Sequence, residues 1–340
     1  MIFVTGGTGL VGAHLLFELT KAGKKVKALK RETSNLQQVI KTFSYYTDDA
    51  QHLFDQIEWV NGDILDYYSL EKILVDVSEI YHCAAIVSFN PKERKKTISN
   101  NVEGTANIVN AAIENGVKRI CHVSSIAALG KLQNGEATSE TTNWVPSKKN
   151  SGYSESKFFS EAEIWRGIEE GLDAVIVNPS IILGPGNWET GSSKLFKTIW
   201  DGIKFYTKGI TGYVDINDVV QIMIRLMDDS NFETCKNQRY LLNSENLSYQ
   251  DLFSQIADAL NKPRPANWAN DFLMAVAWRA ATLLGWITQK PSMLTRETAS
   301  GRNEAHYFDG SKTTQTLGYS YLPISESIKK TAALLKKDMN

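Results

Sequence analysis

Short apolar runs alternate with helical patterns along the first half of the chain. The runs are four or five residues long and rich in Val and Ile, which is typical of strands buried on both faces. Between them, apolar residues recur three or four positions apart, as Leu15, Leu16 and Leu19 do in a helix predicted over Gly12–Ala22. This alternation predicts an α/β fold with βαβ units and a doubly wound parallel sheet covered by helices on both faces. The predicted strands are Ile2–Thr5, Lys25–Leu29, Ile57–Val60, Glu79–Cys83, Arg119–Val123 and Ala174–Asn178, and later helices are predicted over Tyr249–Leu260 and Ile324–Lys336.

The pattern changes in the second half of the chain, where Gly184-Pro185-Gly186-Asn187 predicts a loop. The sequence beyond this loop holds most of the tryptophans and several helical patterns. We therefore expect a larger domain over residues 1–183 and a smaller, mainly substrate-binding domain over residues 184–340. About residues 211–245 are expected to return to the sheet of the first domain.

Composition and charge narrow the classes of function. The chain has 340 residues and a formal net charge of -1, which argues against a nucleic-acid-binding surface. Its three cysteines, Cys83, Cys121 and Cys235, show no metal-ligand spacing, and their odd number indicates reduced thiols in a cytoplasmic protein without a secretory leader. His82 and His122 lie in apolar strands and are predicted to be packed in the core. No metal site is predicted, because no H-E-x-x-H or H-x-x-E-H spacing occurs.

The longest apolar stretch is Phe272–Ile287. It is short for a membrane span and carries Arg279 in its middle, so no transmembrane helix is predicted. The stretch predicts a buried or amphipathic helix. The alternative is a hydrophobic lid that contacts lipid or a lipophilic substrate.

A glycine-rich loop joins the first predicted strand to the first predicted helix. Glycines spaced G-x-x-G-x-x-G allow a sharp turn, a close approach of phosphate to the backbone, and close packing of the helix on the sheet. The N–H groups at the start of the helix would then face the phosphates. The loop therefore predicts a dinucleotide pyrophosphate site formed by Gly6-Gly7-Thr8-Gly9-Leu10-Val11-Gly12.

The end of the second predicted strand bears on the choice of nicotinamide cofactor. A carboxylate there favours NAD, because it binds the ribose 2′-hydroxyl, whereas a cation favours the 2′-phosphate of NADP. This chain has Lys30 and Arg31 at that point, followed by Glu32. NADP is therefore the preferred prediction, and NAD remains open because Glu32 could turn inward.

A Y-x-x-x-K pattern supplies the candidate catalytic pair, Tyr153 and Lys157. On a helix, positions four apart share one face, so the phenol and the ammonium would lie together. A nearby ammonium favours the phenolate and lowers the pKa of the tyrosine. Tyr153 would then exchange a proton with a substrate oxygen while a hydride moves to or from the nicotinamide.

Two serines follow the fifth predicted strand, at the edge of the sheet where ligands bind in folds of this class. Ser125 is the candidate that donates a hydrogen bond to the substrate oxygen, and Ser124 is expected to be structural. A Ser-His-Asp hydrolase is not favoured, because no G-x-S-x-G elbow surrounds either serine.

Taken together, these segments resemble the extended short-chain dehydrogenase/reductase family, also called the NAD-dependent epimerase/dehydratase family. The resemblance covers nearly the whole chain, and the segments follow in the order that is typical of the family. They are VTGGTGLVG, NGDILD at Asn61–Asp66, HCAAIV at His82–Val87, NNVEGTANIVNAA at Asn100–Ala112, VSSIAALG, YSESK, NPSIILGPG at Asn178–Gly186, and YVDINDVV at Tyr213–Val220.

The resemblance implies a Rossmann-type fold and the catalytic roles argued above for the serine, tyrosine and lysine. It also implies that Lys157 binds the nicotinamide ribose and that the family's homodimers form through helices matching Asn101–Glu114 and Tyr153–Glu170. The further cofactor-binding residues that it implies are Asp63, Ile64, Ala84, Ala85, Pro179, Ser180 and Ile181.

Within the family, the sequence most resembles the dihydroflavonol reductase-like and 3β-hydroxysteroid dehydrogenase-like members. The basic end of VKALKR and the tail His306–Ile328 are similar to reductases. The arginine that sugar-nucleotide members usually carry before the YVDINDVV-like segment is missing from KGITGYVDINDVV. Ser-Ser-Ile also stands where dehydratases carry Thr-Asp-Glu.

Three hypotheses follow for the function. The first is an NAD(P)-dependent reductase or dehydrogenase acting on a carbonyl or a secondary alcohol, and the many aromatic residues of the second half favour a lipophilic substrate. The second is a nucleotide-sugar epimerase or dehydratase with bound NAD. The third is a dinucleotide-binding regulator without turnover, which the intact serine, tyrosine and lysine argue against.

Overall fold

The computed structural model describes residues 1–132, 135–147, 150–270 and 303–339, together with positions 272, 273, 276, 278 and 279. The helix predicted over Phe272–Ile287 falls mostly outside these residues. Among the helices of the described residues, none is both long and apolar enough to cross a membrane.

Strands and helices alternate through the first half of the chain, as the apolar pattern predicts. The strands are β1 (Ile2–Thr5), β2 (Val26–Lys30), β3 (Glu58–Asn61), β4 (Glu79–His82), β5 (Arg119–Val123), β6 (Ala137–Thr138), β7 (Asp173–Pro179), β8 (Ile181–Leu183), β9 (Phe205–Tyr206), β10 (Ile210–Asp215), β11 (Gln238–Leu242), β12 (Glu245–Ser248), β13 (Asn267–Trp268) and β14 (Tyr307–Phe308). The helices are α1 (Leu10–Lys21), α2 (Gln37–Phe43), α3 (Ala50–Asp55), α4 (Tyr67–Ile73), α5 (Arg94–Glu114), α6 (Gly152–Glu169), α7 (Lys194–Trp200), α8 (Ile216–Met227), α9 (Asp229–Cys235), α10 (Tyr249–Leu260), α11 (Ser311–Leu317) and α12 (Ile324–Met339).

Seven parallel strands form the central sheet, in the order β11-β7-β5-β4-β1-β2-β3. The chain winds from β1 through β2 to β3 in one direction and from β4 through β5 to β7 in the other. The two directions meet between β1 and β4, which is where ligands bind in open α/β sheets. The predicted fold class is confirmed. The predicted bounds of β1 and β5 match the structure, β4 ends one residue before its predicted end, and β2, β3 and β7 differ from their predicted bounds by one residue at each end.

The two faces of the sheet are buried under separate layers of helices. One apolar cluster lies under α1, α2 and α8, and the other lies under α4, α5 and α6. Strand residues alternate between the clusters, so that Val4 and Val175 belong to the first and Phe3 and Ile176 to the second. This two-sided burial explains why the strands are almost uninterrupted apolar runs.

The second half of the chain adds a third apolar cluster, built from α7, α10 and α12. A small sheet of β8, β10 and β12 packs beside it. The strand that joins the central sheet from this half is β11, which pairs with β7 and lies within the range 211–245 expected to return there.

The last helix extends three residues beyond its predicted end at Lys336. Its final turn is held by the carboxylate of Asp338, which accepts hydrogen bonds from Lys41 Nζ (2.5 Å), the Tyr45 hydroxyl (2.5 Å) and Trp188 Nε1 (2.8 Å). These three donors come from α2, the segment after it and the loop after β8. No local sequence pattern contains such contacts, which is why the predicted end is early.

Asp218 on α8 fastens the segment between α11 and α12. Its carboxylate accepts hydrogen bonds from the Tyr319 hydroxyl (2.8 Å) and the Leu322 backbone N–H (2.9 Å). Burial raises the pKa of Asp218 from 3.8 to about 6, even though both hydrogen bonds oppose the rise. The folded protein therefore binds the Asp218 proton more tightly than the unfolded chain does.

This pKa shift predicts a pH-dependent loss of stability. As the pH rises from about 4 to about 6, ionisation of Asp218 should lower the free energy of unfolding, because the folded state alone still holds the proton in that range. The Asp218→Asn variant lacks this titration, so its free energy of unfolding should rise relative to that of the wild type across the same interval. Urea unfolding at a series of pH values tests this, with the exposed Asp48→Asn as control. Parallel pH profiles for wild type and Asp218→Asn would contradict the assignment.

Candidate active site

The residues predicted to bind cofactor or substrate lie at one edge of the central sheet. Each follows the carboxyl end of a strand: the glycine loop follows β1, Lys30 ends β2, and Ser125 lies just beyond β5. Because all seven strands are parallel, their carboxyl ends share this edge. The fold therefore brings together segments that are far apart in the sequence.

The glycine loop makes a tight turn between β1 and α1. Gly6 has a φ of +69°, and a Cβ there would lie 2.6 Å from the backbone nitrogen of Ala84. A Cβ on Gly12 would lie 2.2 Å from the carbonyl oxygen of Gly6. Helix α1 begins at Leu10, two residues before its predicted start, because Gly9 takes the N-cap position in an extended conformation.

The first turn of α1 is open to a ligand. Gly9 carries no side chain that could cap the helix, and a Cβ on it would meet only the Gly6 carbonyl oxygen, at 3.3 Å. Free N–H groups at a helix N-terminus bind anions. The loop therefore fits the phosphates of a dinucleotide, while its other residues, Gly7, Thr8, Leu10 and Val11, shape the turn and the first helical positions.

A buried chain of hydrogen bonds ties the end of β1 to the end of β4. The Thr5 hydroxyl accepts from Ala84 N–H (3.2 Å) and donates to His82 Nδ1 (2.7 Å). Thr105 Oγ1 donates to the Asn101 carbonyl (2.8 Å), so its contact with His82 Nε2 (3.1 Å) requires that the nitrogen be the donor. Burial lowers the pKa of this ring to about 3, so the ring is neutral at physiological pH, and Nδ1 is then the nitrogen that accepts from Thr5. Ala84 and Ala85 are thereby held beside the glycine loop.

His82 and His122 stack on each other inside this edge of the sheet. The ring centroids are 5.2 Å apart, and both side chains are buried, as the apolar sequence context predicts. Burial lowers the pKa of His122 well below its ordinary value. Both imidazoles are therefore neutral at physiological pH.

The segment after β3 is shaped by α5. The Asp63 carboxylate accepts a hydrogen bond from Leu65 N–H (3.0 Å), and the Ile64 carbonyl accepts one from Asn107 Nδ2 (3.0 Å). A Cβ on Gly104 would come within 2.4 Å of the Ile64 side chain, so this glycine lets the helix approach the strand end. The structure thus places Asp63 and Ile64 at the same edge as the glycine loop.

The cations predicted to choose the cofactor lie at the end of β2. Lys30 is the last residue of that strand and is half-buried, whereas Arg31 and Glu32 are exposed. Arg31 N–H donates to Ser34 Oγ (3.0 Å), which closes the turn after the strand. The Glu32 side chain is at the surface rather than turned toward the sheet.

Ser125 and Tyr153 are brought together by a short 3-10 turn over Ile126–Ala128. Ser125 caps this turn, with its Oγ accepting from Ala127 N–H (3.1 Å). Ser154 Oγ donates to the Ala127 carbonyl (2.7 Å) and fastens the turn to α6. In this position the Ser125 hydroxyl lies beside the phenol of Tyr153 and acts to lower its pKa.

Burial dominates the electrostatics of Tyr153. It raises the pKa of the phenol, and the neighbouring Ser125 hydroxyl lowers it by a smaller amount. The sequence leads us to expect that Lys157 is the group that lowers this pKa. The structure differs, because Lys157 Nζ donates to the Val123 carbonyl (2.9 Å).

Phe89 packs edge-on against the Tyr153 ring with centroids 5.4 Å apart, a contact that the sequence does not predict.

Lys157 lies under the ends of β4 and β5. Burial lowers the pKa of its ammonium from 10.5 to about 8, while the Glu161 carboxylate acts in the opposite direction. The ammonium is therefore still charged at neutral pH. A buried lysine held on a strand-end carbonyl is suited to binding a neighbouring hydroxyl group.

Ser124 has a different environment from Ser125. Its hydroxyl donates to Glu161 Oε2 (2.7 Å), and its backbone N–H donates to the Val177 carbonyl (2.8 Å). These contacts agree with the structural role predicted for it. Sequence reasoning missed Glu161 itself, although the spacing Y-x-x-x-K-x-x-x-E places it one helical turn after Lys157.

The segment after β7 closes the site on its other side. Ser180 N–H donates to the Leu242 carbonyl (2.9 Å), so the segment Pro179–Ile181, which joins β7 to β8, stays beside the end of β11. The Ser180 hydroxyl and Asn178 Oδ1 are buried and have no hydrogen-bond partner among the described residues. Unsatisfied buried polar atoms at a strand end fit the polar end of a bound ligand. Together with the open glycine loop, they make these residues suitable for a nicotinamide dinucleotide.

Comparisons with known proteins agree with this geometry. Residues 2–238 match the model of the NAD dependent epimerase/dehydratase family. A protein of Synechocystis sp. whose name refers to a dihydroflavonol 4-reductase is 30% identical over 334 residues, which cover 96% of this chain and 92% of that protein. Sterol demethylase protein B of Methylococcus capsulatus is 30% identical over 266 residues, which cover 77% of this chain and 75% of that protein. The crystal structure of gox2253 is similar with a TM-score of 0.80 and 26% identity, covering 99% of this chain and 98% of that one.

Two glycine variants separate cofactor binding from folding. Gly12→Ala should lower the free energy of unfolding by about 2 kcal/mol or more, because its Cβ would meet the backbone of Gly6. Gly9→Ala should fold normally and weaken the binding of NADPH by about tenfold or more, because its methyl group would crowd the open turn. Thermal unfolding and a fluorescence titration with NADPH measure the two effects. A Gly9→Ala variant with unchanged affinity would show that the phosphates bind elsewhere.

Proposed function

Because this chain belongs to the NAD dependent epimerase/dehydratase family, we propose that it is an NAD(P)-dependent oxidoreductase that acts on a carbonyl or secondary alcohol, with Tyr153 as the acid/base. The observation that carries this proposal is the pair of neighbouring hydroxyls on Ser125 and Tyr153, in a chain that matches the family model. The pair lies at the edge of the sheet that also holds the glycine loop, with Lys157 buried beneath it.

Each of the three side chains has a defined task in this proposal. Bound NAD(P)H supplies the hydride. Tyr153 gives a proton to the substrate oxygen, and Ser125 donates a second hydrogen bond to the same oxygen and so stabilises the charge that develops there. Lys157, which is charged at neutral pH, holds the ribose next to the nicotinamide and adds a positive charge to the site.

The electrostatics of Tyr153 suit the role of proton donor. Burial raises the pKa of this side chain, so it remains a phenol at neutral pH. A phenol is the proton donor that carbonyl reduction needs, whereas alcohol oxidation needs the phenolate as a base. Phe89 adds an aromatic surface beside the reacting hydroxyl, which supports an apolar substrate. The names of the two curated relatives likewise refer to a dihydroflavonol reductase and to a sterol demethylase.

We infer a preference for NADP from the end of β2. Lys30 and Arg31 supply two positive charges there, and Glu32 is exposed to solvent. An arginine binds a phosphate group through two parallel hydrogen bonds, so these cations suit the 2′-phosphate. NAD remains the alternative cofactor.

The outer face of α5 and α6 supports a homodimer, which remains a proposal. A groove between these helices is lined by Ile98, Val102, Phe159 and Ala162. The Phe159 side chain is 44% exposed, although it is large and apolar.

The cysteines Cys83, Cys121 and Cys235 are unpaired, which agrees with the cytoplasmic location that we propose.

A cofactor titration tests the proposed preference and the reaction class together. Tryptophan quenching should show tighter binding of NADPH than of NADH, and UDP- or dTDP-sugars should not change either affinity. The double variant Lys30→Ala, Arg31→Ala should lose affinity for NADPH by about tenfold or more and keep its affinity for NADH, because only the 2′-phosphate contact is removed. A sugar nucleotide that tightens the complex would favour an epimerase or dehydratase instead.

Substitutions in the catalytic set test the mechanism once a screen of ketones and aldehydes has identified a substrate. Tyr153→Phe should lower kcat by about 10²–10⁴-fold while NADPH affinity stays near the wild-type value, because only the proton donor is removed. Ser125→Ala should lower kcat by about 10²–10³-fold. As a control, Tyr68→Phe changes an exposed phenol and should leave the rate unchanged. Full activity of Tyr153→Phe would exclude this side chain as the acid.

A further inference from the structure

Glu161 is a buried carboxylate directly behind the catalytic pair. It lies on α6, one turn after Lys157, and only 3% of its side chain is exposed. Burying an ionised carboxylate costs several kcal/mol unless partners compensate the charge. The carboxylate therefore depends on partners that compensate its charge.

Its two oxygens are satisfied by donors from three different strands as well as from α6. Oε2 accepts from Ser124 Oγ (2.7 Å) and Asn178 Nδ2 (2.8 Å), which follow or end β5 and β7. Oε1 accepts from Arg239 Nη1 (3.1 Å) on β11 and from Trp165 Nε1 (3.3 Å) on α6. The carboxylate thus joins the catalytic helix to the ends of β5 and β7 and to the first residues of β11.

One of these donors connects Glu161 to Ser125. The amide nitrogen of Asn178 donates to Glu161 Oε2 and also to the carbonyl oxygen of Ser125 (3.1 Å). Ser124, the residue before Ser125, is fixed to the same carboxylate oxygen. The peptide that presents the Ser125 hydroxyl is therefore held from both sides by groups that Glu161 orients.

The charges around Lys157 show a second effect of Glu161. The titratable groups that face the ammonium are Cys83, His82 and His122 from the strands, and Glu161 from its own helix. Burial raises the pKa of the Cys83 thiol to about 12, so it is neutral, and the two imidazoles are neutral as well. Among these groups, Glu161 is the one that carries a negative charge toward Lys157.

Arg239 keeps this carboxylate in place. It reaches Glu161 from the edge strand β11, while its Nε donates to the Glu140 carbonyl (2.7 Å). Its positive charge compensates the buried carboxylate and weakens the attraction between Glu161 and Lys157. Removing Arg239 should therefore raise the pKa of Lys157, whereas removing the charge of Glu161 should lower it.

We propose that Glu161 is a positioning residue for the catalytic set: its carboxylate fixes the peptide that carries Ser125 and stabilises the positive charge on Lys157. Arg239 on β11 limits the stabilisation of Lys157, because its positive charge partly compensates the Glu161 carboxylate. The proposal rests on the function proposed above, because it assigns Glu161 a task through Ser125 and Lys157. Glu161 itself contacts neither substrate nor cofactor.

The titration of Lys157 tests the electrostatic part without any ligand. In protein labelled with ¹³C at lysine Cε, the Lys157 signal is identified by its absence from Lys157→Arg. Glu161→Gln should shift its pKa downward by about one unit, the effect of an opposite charge a few ångströms away. Glu161→Asp keeps the charge, so the pKa of Lys157 in this variant should stay close to the wild-type value. Glu169→Gln changes an exposed residue on the same helix and should have no effect on this pKa. An unchanged Lys157 titration in folded Glu161→Gln would overturn the proposal.

Arg239→Gln provides an independent test if Glu161→Gln does not fold. Without the guanidinium, Glu161 acts on Lys157 more strongly, so the Lys157 titration should move upward. A downward shift or no shift would overturn the proposal, since a purely structural role predicts neither sign.

The pH dependence of NADPH affinity connects the proposal to function. The alkaline decline in affinity should move to lower pH in Glu161→Gln and stay in place in Glu169→Gln. An alkaline decline that is unchanged in Glu161→Gln would refute the connection. If the wild type binds neither NADPH nor NADH, the proposed function fails, and the lysine titration still decides the role of Glu161.

Discussion

Buried polar side chains at the ends of parallel strands are the constraint on which this site depends. Thr5, His82, His122, Ser124 and Asn178 all lie at the carboxyl edge of the sheet, and each is almost completely shielded from solvent. An unpaired buried polar group costs about 1–3 kcal/mol, so the helices next to the sheet must supply hydrogen-bond partners. Most of these groups have such partners, whereas neither ring nitrogen of His122 nor Asn178 Oδ1 has one among the described residues.

Two hydrogen-bonded sets meet this requirement and divide the site between them. The first runs from Thr5 through His82 to Thr105 and Asn101, and Asn101 Nδ2 continues it to Ser156 (3.0 Å) on α6. The second gathers around the Glu161 carboxylate on the same helix, one turn beyond Lys157. The glycine loop and the hydroxyls of Ser125 and Tyr153 are thus both connected through hydrogen bonds to one helix, α6.

The parts of the fold that depend on short-range sequence could be predicted, and the parts that depend on distant contacts could not. The strands are continuous apolar runs and the glycines stand in a fixed spacing, so both are visible in the sequence. The raised pKa of Tyr153 is not visible, because it results from burial by segments such as the one that carries Phe89. Glu161 could have been singled out by its spacing, but its partner Arg239 is 78 residues further along the chain.

The contacts of Asp338 bear on the order in which the chain is completed. A ribosome releases the chain from its N-terminus, so Lys41, Tyr45 and Trp188 emerge well before the carboxylate that binds them. Contacts between residues that are hundreds of positions apart also slow folding, because a long loop must close before they form. The last turn of α12 is thus fastened late, and Lys41, Tyr45 and Trp188 lack this partner until Asp338 has been synthesised.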